Sequence, residues 1–372
     1  MIRAEVLDRI APLEAEWDAL AESLGAGPFV APDFIAAHWS AFGAGRLTVV
    51  AVRRKGVLEA VLPLTRRGAT ARSITNAQSP QFGMLGAGVE IAHAVLHALT
   101  RTGISRVALS YVDRDDPLIV AMHEHALERR WLLAEHMMLR SPYVELEGTI
   151  EDYRTRLKRS FKADLRRRTR RLAEQGEVTL DMCDGTSRLD ALLSESWKLE
   201  SAGWKGRSGT AIASLPSAQR FYGELARRAA ARGRLRLFFL RLDGRALAFL
   251  FGLEQRSVLY LLKGGFDPDS ARQSPGQQLL ERVIEHGYAA GLSRIELLGG
   301  DEPYKLHWTH SVHERISLQC FGPSVMRRAQ WAAYAYGWPL AVRLGLDRRL
   351  APVRDRGRAA LYSVRGRRQR AG

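Results

Sequence analysis

Leu47-Thr-Val-Val-Ala-Val-Arg-Arg-Lys-Gly56-Val-Leu-Glu-Ala-Val-Leu-Pro-Leu64 and Leu235-Arg-Leu-Phe-Phe-Leu-Arg-Leu-Asp-Gly244-Arg-Ala-Leu-Ala-Phe-Leu-Phe-Gly252 are written to one plan. In each, a short polar pair ending in glycine separates two apolar, strand-forming runs, the signature of a hairpin closed by a tight turn. Gly56 and Gly244 stand 188 positions apart. A second pair, Gly103-Ile-Ser-Arg-Val-Ala-Leu109 and Gly291-Leu-Ser-Arg-Ile-Glu-Leu297, has the same separation of 188. There the glycine follows a helical stretch and opens a short apolar strand, where a helix C-cap belongs. Two motifs at one offset predict two copies of one unit. Each copy reads as a hairpin, a further strand, a helix and a closing strand. The expected class is therefore α+β rather than a regularly alternating βαβ barrel.

A chain of 372 residues is long for a single core, which agrees with two units. With 46% hydrophobic and 26% charged residues it reads as globular. No run of eighteen apolar residues occurs, and Met1 to Leu20 carries five acids, so neither a spanning helix nor a secretory signal is expected. The two cysteines, Cys183 and Cys320, have no metal-ligand spacing around them. No metal and no disulfide framework is expected, and a reducing compartment, the cytoplasm, is the simple reading.

The net charge of +16 is concentrated. Arg154 to Arg171 holds ten basic residues and one acid; Arg327 to Gly372 holds twelve arginines and two aspartates. The remainder is nearly neutral, so two segments carry the attraction for phosphate, nucleic acid or anionic lipid. Leu157, Phe161, Leu165 and Leu172 recur at helical spacing, predicting a docked amphipathic helix from Arg156 to Ala173 that ends near Gly176. The expected organisation is a first unit at 1–145, a basic connecting helix at 146–176, a second unit at 177–322 and a tail at 323–372. In that tail Trp331, Tyr334, Tyr336 and Trp338 lie near arginines. Such a segment either packs back on the body or lies on an anionic membrane surface.

Two runs suggest chemistry. Ser257 to Lys263 reads as a strand, followed by Gly264-Gly-Phe-Asp-Pro-Asp-Ser-Ala-Arg-Gln-Ser-Pro-Gly276 and then an amphipathic helix bearing Leu279, Leu280, Val283, Ile284 and Tyr288. Ser274 would cap that helix and Pro275 suits its first turn. A helix start with unsatisfied backbone amides is a ready site for pyrophosphate; Gly276 would allow close approach and Arg272 would add charge. The plain alternative is ordinary helix capping. The second run, Leu297-Leu-Gly-Gly-Asp301-Glu-Pro-Tyr304-Lys305-Leu-His307-Trp308-Thr-His310, gathers acid, phenol, amine and imidazole within a loop. Asp301 or an imidazole suits a base, Tyr304 a proton donor and Lys305 an anion stabiliser. Here the plain alternative is a polar loop with Trp308 in the core.

Gln273-x-x-Gly276-x-Gln278 resembles the GNAT cofactor loop, with glutamine in place of the last small residue. A longer set of landmarks resembles the CelD/BcsL family, GNAT-type acetyltransferases associated with cellulose biosynthesis. It runs through Pro28-Phe29, Trp39, Pro63-Leu64, Arg166 to Leu172, Gly176-Glu-Val178, Glu200-Ser-Ala-Gly-Trp-Lys-Gly-Arg-Ser-Gly-Thr-Ala211 and Phe221-Tyr222. It continues through Asp243-Gly244, Ala248, Phe266-Asp267-Pro268, Ser274-Pro275-Gly276, Gly300-Asp301 and Tyr304-Lys305-x-x-Trp308. That family is distantly similar to the FemABX peptidyltransferases, whose closing aromatic-Lys-x-x-aromatic motif resembles Tyr304-Lys305-Leu-His-Trp308.

The resemblance implies two tandem GNAT-like halves, with the C-terminal half holding acetyl-CoA or another acyl-CoA. The implied cofactor residues are Lys263, Gly264, Gly265, Arg272, Gln273, Ser274, Gly276 and Gln277, with backbone amides around Lys263 to Gly265 stabilising an oxyanion. Lys305, Asp301 and Tyr304 become the implied catalytic set, and Trp204, Lys205 and Trp308 the implied substrate contacts. The expected activity is direct acyl transfer to a hydroxyl or amine of a glycan-related or small acceptor. Neither cysteine lies in a nucleophile-like context and no Gly-x-Ser-x-Gly elbow occurs, so no covalent enzyme intermediate is expected. The competing expectations are a FemABX-like aminoacyltransferase using aminoacyl-tRNA, gripped by helix 156–173, and a non-catalytic accessory protein of exopolysaccharide synthesis.

Overall fold

Both predicted hairpins form, for the same backbone reason. Strand β2 (Arg46–Arg54) pairs antiparallel with β3 (Val57–Arg67), and β8 (Leu235–Leu242) with β9 (Arg245–Gln255). The turn residues Lys55 and Gly56 have φ of 52° and 87°, and Asp243 and Gly244 have 48° and 80°. Two consecutive left-handed residues are what a two-residue turn needs to match the twist of its strands. At the same offset of 188, positive φ recurs at Gly68 and Arg256, Gly86 and Ser274, Gly103 and Gly291, and Tyr111 and Gly299. Left-handed backbone is unfavourable for residues with a Cβ. Its repetition at matched positions, glycine or not, marks two copies of one backbone.

The structure is a computed structural model that describes residues 2–203, 211–337 and 340. The other strands are β1 (Ile2–Leu7), β4 (Thr70–Ser73), β5 (Arg106–Asp113), β6 (Leu132–Glu145), β7 (Val178–Cys183), β10 (Val258–Phe266), β11 (Arg294–Glu296) and β12 (Val312–Phe321). They form a 12-stranded sheet in the order β1-β2-β3-β4-β5-β12-β6-β11-β10-β9-β8-β7. The order is nearly palindromic, but the sixth strands are exchanged. β12, from the end of the second copy, pairs with β5 of the first, while β6 pairs with β11 of the second. β12 and β6 pair with each other down the centre from Val312↔Pro142 to Phe321↔Leu132. A cut of the chain near residue 146 or 177 therefore separates β6 from both strands it pairs with.

Helices cover both faces. On one, α1 (Glu14–Leu24), α2 (Pro32–Phe42), α7 (Leu189–Ala202) and α8 (Pro216–Ala231) share a core containing Trp17, Phe34, Phe221, Tyr222, Phe249 and Phe251. This core spans the copies: Phe34 meets Phe221 edge-on at 5.4 Å, and Asp33 receives Arg228 at 3.2 Å and Arg232 at 2.5 Å. On the other face, α3 (Val89–Arg101) and α4 (Pro117–Arg129) cover the first copy. There α5 (Ile150–Arg156), α6 (Arg159–Ala173) and α9 (Pro275–Ala289) cover the second.

The basic connector is two helices, not the single one expected from Arg156. Leu157 is extended (ψ 144°), and α6 begins at Arg159. Leu165 and Leu172 are buried as read, with Leu157 and Phe161 partly buried beside them. In the tail, α10 (Val325–Ala332) docks on the body. Arg327 reaches the Ala69 carbonyl at 3.2 Å and Trp331 donates to the Leu133 carbonyl at 2.7 Å. Trp338 lies outside the described residues. Among the described residues no helix is long and apolar enough to cross a membrane.

The copies differ after their fourth strand. In the first, β4 ends at Ser73, and the chain comes back to bridge Leu85 to Val61 of β3 and Phe82 to Val112 of β5. Phe82, Met84 and Leu85 are buried there. In the second copy β10 runs on to Phe266. Gly86 makes the first arrangement possible: at φ 113°, a Cβ on it would lie 2.6 Å from both Ala60 Cβ and the Glu59 carbonyl. Gly86→Ala combines backbone strain with overlap and is expected to cost about 2 kcal/mol or more, read as a lowered urea midpoint.

Candidate active site

Where β10 parts from its neighbour, a site can form. Val258, Leu259 and Tyr260 pair in parallel with Arg294, Ile295 and Glu296 of β11. β11 stops there, whereas β10 stays paired with β9 as far as Phe266↔Ala248. Beyond Glu296 the chain swings away through Leu298 and Gly299, both left-handed at φ 52° and 61°. Residues 261–266 of β10 thus run along the mouth of a split sheet. Lys263, Gly264 and Gly265 pair with Phe251, Leu250 and Phe249, so alternate backbone amides turn toward β9 and the others toward the split.

After β10, the 3-10 turn Pro268–Gln273 leads to Ser274 and α9. Ser274 is not a side-chain cap, contrary to the expectation. Its left-handed backbone (φ 52°) removes its side chain from the helix amides, and its Oγ instead accepts from Arg168 of α6 at 3.1 Å. Arg168 also donates to the Arg272 carbonyl at 2.5 Å, so the basic helix is braced against this turn. The Arg272 side chain is exposed. A Cβ added at Gly276 would meet nothing closer than Phe266 at 3.6 Å, so the fold itself does not require glycine there. Gln278, 1% exposed, donates to the Gln273 carbonyl at 2.8 Å, while its Oε1 has no partner among the described residues.

The loop after β11 is held to α9 by Gln277. Its Nε2 donates to the Tyr304 carbonyl at 3.3 Å, and its Oε1 accepts from Trp308 Nε1 at 2.5 Å. Trp308 does not line a cleft as the resemblance implied. It is 2% exposed, edge-on to Phe161 at 5.0 Å, and its carbonyl accepts from Tyr153 at 2.9 Å, because α5, α6 and α9 close over the indole. Lys305 is also buried, at 7% exposed. Its ammonium lies 2.5 Å from the Leu298 carbonyl, 3.1 Å from that of Gly300 and 2.7 Å from Glu302 Oε2. These contacts pin the left-handed turn. Tyr304 is half exposed beside it, and burial of its hydroxyl, then the Glu302 carboxylate, pushes its phenol up to about 12, so it stays protonated at neutral pH. Asp301 faces Arg140 of β6 at 3.6 Å. Trp204 and Lys205 lie outside the described residues.

Sequence reading passed over Glu200, which it quoted only within the family pattern. Leu193, Ser196 and Glu200 follow one helical face and all three are buried, so an acid on an apolar stripe was the available signal. Glu200 Oε1 lies 3.6 Å from Lys263 Nζ, and its Oε2 accepts from the Ile212 amide at 2.7 Å. Arg168, equally unremarked, was hidden among neighbouring arginines.

Removing the Lys305 ammonium strips two carbonyls and a carboxylate of their partner. Lys305→Met is therefore expected to lower unfolding stability by about 1–3 kcal/mol, measured by urea denaturation, whatever its effect on turnover.

Residues 159–306 match the family described as acetyltransferase (GNAT) domain. No curated protein matches the chain. Among solved structures, FemX superposes with a TM-score of 0.58 at 11% identity, covering 86% of this chain and 97% of that one. The C-terminal DUF2156 domain of an Agrobacterium fabrum protein described as a lysylphosphatidylglycerol synthetase gives 0.55 at 15% identity, covering 88% and 96%. L-PGS from Bacillus licheniformis gives 0.54 at 13%, covering 87% and 96%. At such identities the likeness is one of fold. The chain has an α+β fold in which one backbone plan is used twice, and residues 159–306, most of the second copy, are similar to a GNAT acetyltransferase domain.

Proposed function

We propose that the chain transfers an acyl group, acetyl in the simplest case, from acyl-CoA directly to a hydroxyl or amine of a small or glycan-related acceptor. The observation that carries this reading is the split between β10 and β11 opening beside the start of α9, with a glycine at 276 that the fold does not need. The thioester arm would lie along β10 between Leu261 and Phe266. Outward-turned amides near Lys263, Gly264 and Gly265 would meet the developing oxyanion. The pyrophosphate would rest on the Gly276 amide, where helix polarity favours an anion, beside Gln277, whose own amide donates to the Ser274 carbonyl at 3.0 Å. Arg272 would supply an exposed cation beside that turn, with Gln273 and Ser274 forming its backbone.

The first copy supports the choice of half. At the matched place its own Phe82, Met84 and Leu85 fill the space between β3 and β5. Tyr304 suits protonation of the departing thiolate, since it is held in its protonated form. Lys305 serves this site by holding the Leu298–Gly300 backbone, and Asp301 by facing the first copy through Arg140.

A second reading has one observation behind it. On α6, Arg159, Arg166 and Arg171 are exposed while Arg168 touches the α9 turn, so a polyanionic donor such as aminoacyl-tRNA would find charge next to the site. That binding would weaken steeply with salt.

Titration calorimetry with acetyl-CoA tests the first reading, and saturable binding at moderate salt is expected. Gly276→Ala sharpens it: the chain is expected to gain about 0.4–1 kcal/mol of stability, since alanine fits a helix start, yet to bind acetyl-CoA about tenfold more weakly. Undiminished binding by this variant, or a wild type that binds tRNA and no acetyl-CoA, tells against the reading.

A further inference from the structure

A charged pair buried between strand and helix costs desolvation, and apolar side chains of similar size commonly serve stability as well or better. Glu200 and Lys263 are such a pair, 3.6 Å apart, with the glutamate side chain fully enclosed. Two separate features of β10 bring them together. Leu259 and Leu261 face the α9 layer, while Tyr260 and Leu262 face the α7 layer. Strict alternation would turn Lys263 toward α9. The bulge between Leu261 and Lys263 adds one residue, so the lysine points to α7 instead. The second feature is Gly265. A Cβ there would lie 3.0 Å from Glu200 Cα and 3.2 Å from its amide nitrogen, so the missing side chain lets the end of α7 rest on the strand. Both features lie beyond Tyr260, in the stretch of β10 that runs along the split.

The pair is also joined to the other copy. Lys263 Nζ lies 5.7 Å from the Tyr222 ring centre, and the Tyr222 hydroxyl donates to Gln78 Oε1 at 3.1 Å. The Gln78 backbone N–H in turn donates to Asn76 Oδ1 at 2.7 Å. A partly buried polar string thus crosses from the half with the split sheet to the half without one.

We propose that Glu200 is the proton acceptor for the incoming nucleophile, that Lys263 is the positioning residue that orients its carboxylate, and that the acceptor enters on the α7 face of β10. This rests on the thioester lying along β10. As the acceptor's oxygen or nitrogen bonds to the thioester carbonyl carbon, its proton passes to the Glu200 carboxylate. The C–S bond then breaks and the thiolate takes a proton from the Tyr304 hydroxyl, so that acyl-CoA and acceptor become acylated acceptor and free thiol. Glu200 gives up the acceptor's proton to solvent on the Lys263 side of the pair, where the lysine is 14% exposed, and Tyr304 regains one from solvent. Glu200 takes the base role that the sequence offered to Asp301.

The test uses the full chain, acetyl-CoA and two acceptors that differ in their need for a base, with thiol release as the readout. Water must lose a proton to attack, whereas hydroxylamine is already a neutral, strong nucleophile near pH 7. Glu200→Gln is nearly isosteric and keeps an acceptor for the Ile212 amide. It is expected to lower acetyl-CoA hydrolysis by about 10²-fold or more, and hydroxylamine-dependent release by about tenfold at most. Lys263→Met is expected to show the same selectivity, and it carries the test if Glu200→Gln does not fold. Equal losses with both acceptors would mean a structural role, and no loss would mean no role; either overturns the proposal. So does a wild type that binds acetyl-CoA yet releases no thiol with either acceptor. Failure of the wild type to bind acetyl-CoA at all, seen by calorimetry, instead sinks the broader reading.

Discussion

Strand β10 keeps one neighbour along its whole length and the other for three residues, and the rest of the site depends on that inequality. A strand paired on both sides has every backbone group committed; one that loses a partner midway turns alternate groups toward whatever lies in the gap. Here the gap is maintained from the far side. Leu298 and Gly299 hold left-handed backbone, and the Lys305 ammonium, reaching the carbonyls of Leu298 and Gly300, keeps the turn from relaxing into a continued strand. Bulky residues at positive φ persist only where their surroundings over-determine them. Leu298 is such a residue, and Lys305 is part of what determines it.

The duplication makes the site's asymmetry interpretable. Matched left-handed positions show one backbone plan used twice, yet the first copy lets its own Phe82, Met84 and Leu85 occupy the space that the second leaves along β10. Freed from that task, the first copy contributes elsewhere: α2 packs on α8, β5 receives β12, and Gln78 meets Tyr222. The exchange of β6 and β12 binds the halves through backbone pairing as well as side chains, so their relative placement is set by the central sheet.

Charge adds a second level of organisation. Among the described residues the net positive charge gathers on α6, and Arg168 connects that helix to the Arg272 carbonyl and Ser274 hydroxyl. Arginine suits this because its planar fork bonds two acceptors at once. An anionic ligand at the α9 turn would therefore meet a backbone already held by a cation.

Sequence by itself determined the elements and their repetition. Lys55-Gly56 and Asp243-Gly244 specify their turns through backbone conformations available to few residues, and Gly103 and Gly291 end their helices for the same reason, so these features are local and legible. The placement of the Ser274-Pro275-Gly276 turn before an amphipathic helix was equally readable. Only the tertiary structure decided which polar residues face the split. Trp308 and Lys305 share one short motif with Tyr304, but α5, α6 and α9 close over the first, two carbonyls claim the second, and the third stays half exposed. Glu200 and Lys263 are 63 positions apart in sequence, and a bulge and a missing Cβ bring them together. The exchange of the sixth strands was likewise invisible, because strand pairing across a duplicated chain is a contest between near-equal partners that local propensity does not rank. Burial and pairing are properties of neighbours, and the sequence names neighbours only along the chain.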